Sequence, residues 1–284
     1  MPHFLIFGLG YSAGRLAARL RAQGWSIEAT GRAGTMAFGD GPAVLSALRR
    51  ATHILSSVPP DADGADAVLA AYGAAIAQSP ARWVGYLSST GVYGDTRGAW
   101  VDETASIGGG RRGARAEADL AWQALPRPVH VFRLPGIYGP GRSVLERLRE
   151  GRARRIDVPA QIFSRIHVDD IVGGVIAAMN APPGVYNLAD DRPCSQNDVV
   201  AYGGALLGLP PPPLQTLEEA ELSPAARAFY GENRRVANAK AKRMLGWSPL
   251  YRDYRSGLAA CLAAEPRMQR DDHAAQRERD ASDR

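Results

Sequence analysis

The stretch His3-Phe4-Leu5-Ile6-Phe7 is apolar without polar alternation, which predicts a strand covered on both faces. From Leu16 the apolar positions recur at helical spacing until Gly24, so a helix follows. The same exchange of strand and helix signals continues down the chain. Strands are predicted at 25–30, 53–58, 83–89 and around Arg133, helices at 43–50, 64–78, 113–124 and 169–180, and a further strand, of the smaller lobe, at 185–187. Short strands alternating with helices through short connections specify a parallel, doubly wound sheet, an α/β fold.

The connection between the first strand and helix carries Gly8-Leu9-Gly10-Tyr11-Ser12-Ala13, the dinucleotide fingerprint with alanine at its third small position. Gly8 permits the sharp turn, Gly10 admits a pyrophosphate without a side chain in the way, and Ala13 keeps helix and strand close. The sheet is therefore expected to be of the Rossmann type. After the second strand stands Thr30-Gly31-Arg32, with no carboxylate to hold ribose hydroxyls and a guanidinium suited to a 2′-phosphate. NADP is expected in preference to NAD. Ser56, Ser57 and Val58 end the third strand over the same crevice and are expected as cofactor neighbours by position.

Composition narrows the reading without redirecting it. The formal net charge of +5 rests on arginine, the only lysines being Lys240 and Lys242. The basic residues are scattered among acidic ones rather than clustered with aromatics, which argues against nucleic acid. No apolar run is long enough to span a membrane or to serve as a signal peptide, so a cytoplasmic, membrane-free protein is expected. Cys194 and Cys261 suit neither a disulfide framework nor a metal site.

Four segments resemble the extended short-chain dehydrogenase/reductase family, the NAD(P)-dependent epimerases and dehydratases. They are Ser88-Ser89-Thr90-Gly91-Val92-Tyr93-Gly94, Arg133-Leu134-Pro135-Gly136-Ile137-Tyr138-Gly139-Pro140-Gly141, Arg165-Ile166-His167-Val168-Asp169-Asp170 and Val185-Tyr186-Asn187-Leu188-Ala189. They occur in the family's order, and the resemblance spans residues 3–262. It implies Ser89 as the hydroxyl that polarises a substrate oxygen, and Pro135 and Ile137 as cofactor contacts. It also implies a smaller C-terminal α/β substrate lobe and a homodimer through helices 64–78 and 113–124. The family's Tyr-x-x-x-Lys pair is missing: Arg111 stands at the tyrosine position and Arg115 at the lysine position. Arg111 cannot act as a base at working pH, whereas Arg115 can still hold a ribose hydroxyl. The chain thus resembles the atypical members. Tyr93 is named as a substitute catalytic group; Tyr138 and His167 are weighed beside it, with Asp169 or Asp170 as the cap of the helix that follows.

Arg111, Arg112, Arg142 and Arg165 near the predicted active-site edge, with Arg152, Arg154 and Arg155 in the lobe, fit either an anionic small-molecule substrate such as a nucleotide sugar or a solvated basic face. The expected organisation is a Rossmann domain over 1–140, completed by part of 160–190, a lobe over 141–264 and a disordered tail over 265–284. Within the lobe, Ser195 is expected to cap a helix to Leu207, prolines 210–213 to form a stiff spacer, and Asn238 to cap a helix to Leu245 before a last helix at 251–264. Two functions fit: an NADP-dependent oxidoreductase or epimerase/dehydratase, or a non-catalytic NAD(P)-binding sensor.

Overall fold

The computed structural model describes residues 1–61, 64–108 and 113–265. In chain order the elements begin β1 (His3–Phe7), α1 (Tyr11–Arg21), β2 (Ser26–Ala29), α2 (Gly41–Arg50), β3 (His53–Ser56) and α3 (Ala67–Gln78). There follow β4 (Trp83–Ser89), a 3-10 turn (Thr90–Tyr93), β5 (Trp100–Val101), α4 (Gly113–Gln123), β6 (His130–Leu134) and β7 (Gly136–Tyr138). Next come α5 (Val144–Arg149), β8 (Arg155–Ile156), β9 (Arg165–His167), α6 (Val168–Ala178) and β10 (Gly184–Asn187). The chain continues through α7 (Gln196–Leu207), β11 (Leu214–Gln215), α8 (Pro224–Phe229), β12 (Arg235–Val236) and α9 (Ala239–Leu245), and a helix over 254–265 ends the described part.

Six parallel strands form the central sheet in the order β10-β6-β4-β3-β1-β2. The continuous apolar character of β1 follows from this placement. Phe4 and Ile6 face the α1, α6 and α9 side, whereas Leu5 and Phe7 face the α2, α3 and α4 side, and all four are fully buried. Each such side chain contributes about 1.5–3 kcal/mol through burial. Strand succession reverses direction at β1 and β3, so a crevice opens at the C-terminal ends of these strands.

A second core lies beside the sheet, where Leu145 and Leu148 of α5, Val199 and Val200 of α7, and Leu258 and Cys261 of the last helix pack together. It is tied down by short strand pairs, β8 with β11 and β7 with β9. Ser195 caps α7 as expected, accepting from Asp198 N at 3.0 Å while the Asp198 carboxylate accepts from Ser195 N. Prolines 210–213 lead directly into β11, and Arg155 donates to Pro212 O at 3.3 Å.

Several local expectations are corrected. Residues 185–187, read as a strand of the smaller lobe, belong to β10, the sheet edge paired to β6 with Val185 opposite Val131. The cap of α6 is His167, whose Nδ1 accepts from Asp169 N at 3.2 Å. Both carboxylates are committed elsewhere: Asp169 to Arg15 of α1, and Asp170 to the Leu250 and Tyr251 amides. Asn238 occupies the cap position of α9, but its amide donates to Ala189 O and Asp191 Oδ1 instead. Glu265 is the last helical residue described and pairs with Arg149 at 2.7 Å, while the expected disordered tail beyond it lies outside the described residues. No described helix is long and apolar enough to cross a membrane.

Candidate functional site

The glycine loop is built by three chain segments. Gly8 has φ +84°, and a Cβ there would lie 2.9 Å from Val58 Cγ2 and 3.2 Å from Ser57 Oγ. Thr30, only 1% exposed, accepts from Gly8 N on its hydroxyl and from Leu9 N on its carbonyl, at 3.1 and 3.0 Å. Ser57 Oγ donates to Gly8 O at 2.5 Å. Thr30, Ser57, Val58 and Leu9 therefore shape the loop from behind. In front of it the situation reverses. A Cβ on Gly10 would meet nothing within 4 Å, and Gly10 caps α1 without any side-chain acceptor or first-turn acid. The first amides of α1 thus face open space at the positive end of the helix, which suits a pyrophosphate. Ala13, 1% exposed, seats the helix against the sheet. Beyond β2, Gly31 takes φ +121° and leads to an exposed Arg32 that has no ion-pair partner among the described residues.

The loop opens on a crevice of about 980 Å³. One end is walled by residues 10–13, Ser57, Pro59, residues 87–91, Arg115 and residues 134–137. Ser89 ends β4 here, half-buried. Its Oγ accepts from Gly91 N at 3.1 Å, capping the 3-10 turn and leaving the hydroxyl proton to donate toward the crevice. Arg115, Pro135 and Ile137 stand on this wall. Ser56 does not: it is 0% exposed inside the sheet, with no hydrogen-bond partner among the described residues.

The substitute catalytic groups are also displaced from the crevice. Tyr93 is 5% exposed; its hydroxyl donates to Asn187 Oδ1 at 2.7 Å and accepts from Arg133 at 3.0 Å, and burial pushes its pKa up. Tyr138 is buried against His167 and the segment leading into the last helix, its hydroxyl donating to Asp253 O at 3.4 Å. His167 is 1% exposed, and burial pushes its pKa down to about 4. The catalytic expectation for Tyr93, with the alternatives Tyr138 and His167, is corrected accordingly. A two-period strand pattern places the ends of strands at a crevice but does not say which side of the following turn looks into it.

Tyr93 belongs to a polar network beneath the crevice floor. Arg133, 3% exposed, donates through Nε and Nη2 to the two oxygens of Asp119, 0% exposed, at 3.0 and 2.8 Å. The same carboxylate accepts from Ser88 Oγ and Gln123 Nε2, each at 2.6 Å. Asp119 lies one helical turn beyond Arg115, so this network fixes the face of α4 that reaches the crevice.

The other end of the crevice lies between α5, α7 and the α8 segment. Arg147, Arg152, Arg154, Arg165 and Arg234 line it, with Phe163 and Tyr230, while Arg142 stands nearer the glycine loop, over the Tyr11 ring. Glu232 is its single acidic lining residue among the described residues. Arg165 is corrected as a substrate anchor: it is 8% exposed and donates to Phe163 O, Cys194 O and Gln196 Oε1 at 2.9, 3.1 and 2.9 Å. Arg155 turns to the carbonyl of Pro212 instead, and Arg152 pairs with Glu150. Arg111 and Arg112 lie outside the described residues. Sequence reasoning passed over Arg147, Arg234 and Tyr230. The first was legible, because Val144, Leu145 and Leu148 bury one face of α5 and leave Arg147 outside it. Arg234 and Tyr230 reach the site only through the packing of distant segments.

Comparison with known proteins places this geometry in a wider set. No family model matches the chain. A 3-diazoavenalumate denitrifying reductase from a Streptomyces species is 31% identical over 140 residues, 45% of this chain and 45% of that protein. The chain thus spans less than half the length of that relative. Protein YeeZ of Escherichia coli is 27% identical over 246 residues, 75% of this chain and 86% of that protein. Among solved structures, a functionally unknown conserved protein from Silicibacter pomeroyi DSS is 46% identical with a TM-score of 0.83, over 93% of this chain and 99% of that one. A UDP-glucose 4-epimerase from Thermotoga maritima, solved with UDP-glucose, is 16% identical with a TM-score of 0.73, over 94% and 99% of the two chains. The human epimerase family protein SDR39U1 (isoform 2), solved with NADPH, is 17% identical with a TM-score of 0.72, over 90% and 97%. The last two show that the chain shares the Rossmann-type fold of epimerase-family proteins.

Proposed function

We propose that the chain is an NAD(P)-dependent enzyme of the extended short-chain dehydrogenase/reductase kind, an atypical epimerase, dehydratase or reductase. In this reading it prefers NADP and acts on a small anionic substrate of the nucleotide-sugar type. The observation that carries the reading is the uncapped start of α1, open over Gly10, in the same crevice as the Ser89 hydroxyl. The cradle fits a dinucleotide. Residues 10–13 would take its pyrophosphate, Gly31 and Arg32 its 2′-phosphate, and Arg115, Pro135 and Ile137 its nicotinamide half. When bound, the nicotinamide supplies a hydride acceptor or donor. Ser89 would donate a hydrogen bond to the substrate oxygen, and Arg147 and Arg154 would hold the substrate anion, Arg234 being paired with Glu232. A hydroxyl presented to the crevice by the turn it caps favours an enzyme over a sensor, which needs no such donor. The same reading includes a homodimer through α3 and α4, where Leu120 is 53% exposed.

Titration calorimetry with NADPH and NADH tests the cofactor. NADPH is expected to bind more tightly, and Arg32→Ala to weaken NADPH by about 1.5–3 kcal/mol with NADH unchanged. Binding of neither nucleotide sinks the reading, and tighter NADH binding sinks the NADP preference. For the chemistry, Ser89→Ala is expected to keep NADPH affinity while turnover in a substrate screen falls by roughly a hundredfold. Full turnover in that variant removes Ser89 from the reaction.

A further inference from the structure

Arg142, expected from sequence to meet the substrate, is held at the glycine loop instead. It is exposed yet forms part of the crevice wall, and its guanidinium carbon lies 5.5 Å from the centroid of the Tyr11 ring. No acidic residue pairs with it among the described residues. Tyr11 is the first residue of α1, so its ring forms a shelf at the helix end whose amides are uncapped. Shelf and arginine are fixed to each other. The Tyr11 hydroxyl donates to Pro140 O at 3.0 Å. Gly139 and Arg142 exchange backbone hydrogen bonds at 3.2 and 2.9 Å, closing the 139–142 turn. A Cβ on Gly139 would lie 2.5 Å from the Tyr11 oxygen and 2.6 Å from Val168 Cγ1, so only glycine lets the turn approach α1 this closely. The neighbouring cation of α1, Arg15, is neutralised by a two-pronged bond to Asp169. Arg142 thus stands beside the first turn with no acidic partner among the described residues.

An arginine resting on an aromatic face is pre-ordered, so it loses less side-chain entropy when it closes on an anion. Its planar fork suits two phosphate oxygens at once. Resting on the reading that the crevice takes a nicotinamide nucleotide, we propose that Arg142 is a clamp on the cofactor pyrophosphate, closing on it from the Tyr11 shelf beside the α1 amides. This separates its duty from that of Arg32: the pyrophosphate is common to NADP, NAD and ADP-ribose, whereas the 2′-phosphate belongs to NADP alone.

The experiment is a set of titrations of the parent protein, Arg142→Ala and Arg142→Lys with NADPH, NADH, ADP-ribose and 2′-AMP, alongside thermal melts. Arg142→Ala is expected to weaken the three pyrophosphate ligands about equally, by roughly tenfold or more, and to leave 2′-AMP within about twofold. Arg142→Lys keeps the charge but not the fork and is expected to recover only part of the loss. Unchanged affinity for the three pyrophosphate ligands overturns the clamp while the cofactor reading stands. Loss of 2′-AMP in parallel, or a lowered melting temperature, marks a structural role and overturns it too. A parent protein that binds none of the ligands overturns the clamp and the cofactor reading together.

Discussion

Asp119→Ala is expected to lower the free energy of unfolding by about 3–5 kcal/mol, read from urea denaturation. The cost arises from what is left behind. Arg133, 3% exposed, would keep its charge in the sheet interior without a counter-ion. Burial alone pulls the Arg133 pKa down, but the hydrogen bonds and charge of Asp119 and the contact with Tyr93 more than offset this and hold it above the usual arginine range. Ser88 and Gln123 would lose an acceptor in the same substitution. A buried ion pair gives little net stability when compared with well-packed apolar side chains, so the loss reflects the broken pair rather than the value of the intact one. The double variant Asp119→Leu with Arg133→Met is accordingly expected to be more stable than Asp119→Ala alone. A cost below about 1 kcal/mol for Asp119→Ala would show that water or a neighbour relieves Arg133.

The second large effect depends on pH. Asp190 is 2% exposed; one carboxyl oxygen accepts from Arg192 N at 3.1 Å and the other has no partner among the described residues. Burial pushes its pKa up to about 8, with Asp253 and Asp191 acting in the same direction and Arg165 against it. The folded state thus holds this proton more tightly than the unfolded chain does. The resulting stability is complete below about pH 4 and is lost as the pH rises through about 8. At about 1.4 kcal/mol per unit, the change across that window is on the order of several kcal/mol. Asp170, pushed up to about 6 by burial, adds a loss of the same sign over a narrower range. Asp190→Asn is expected to flatten the decline between pH 4 and 8 and to be more stable than the parent at pH 8. Parallel stability curves for the two proteins would refute the assignment.

The sheet was legible because its information is local. A strand such as β1, covered on both faces, must be apolar throughout, and the Gly8–Ala13 turn needs particular residues for steric reasons that hold in any context. The crevice-wall positions of Ser89 and Arg115 were legible through their place in the chain order of a known pattern. What escaped was orientation. Tyr93 and Ser89 are four residues apart across one tight turn, and one faces Asn187 while the other faces the crevice. Arg165 and Arg142 carry the same charge, yet one is saturated by carbonyls from the Cys194 segment and the other rests on Tyr11. Such outcomes depend on which distant segment supplies an acceptor, and no periodicity records that. The membership of residues 185–187 escaped for the same reason, since a short strand carries no mark of the sheet it joins.

The two ends of the crevice are completed at different moments of synthesis. All six strands of the sheet and its glycine loop are present once β10 ends at Asn187, with α9 still to cover part of one face. The core behind the arginine-rich end needs Tyr254, Leu258 and Cys261 from the last helix to cover α5 and α7. A growing chain therefore completes the strands and glycine loop first, and the arginine-rich wall only after some seventy further residues have emerged, a separation that favours vectorial assembly. A nucleotide captured by the early cradle would stabilise the half-made protein by mass action while its other wall is still being translated.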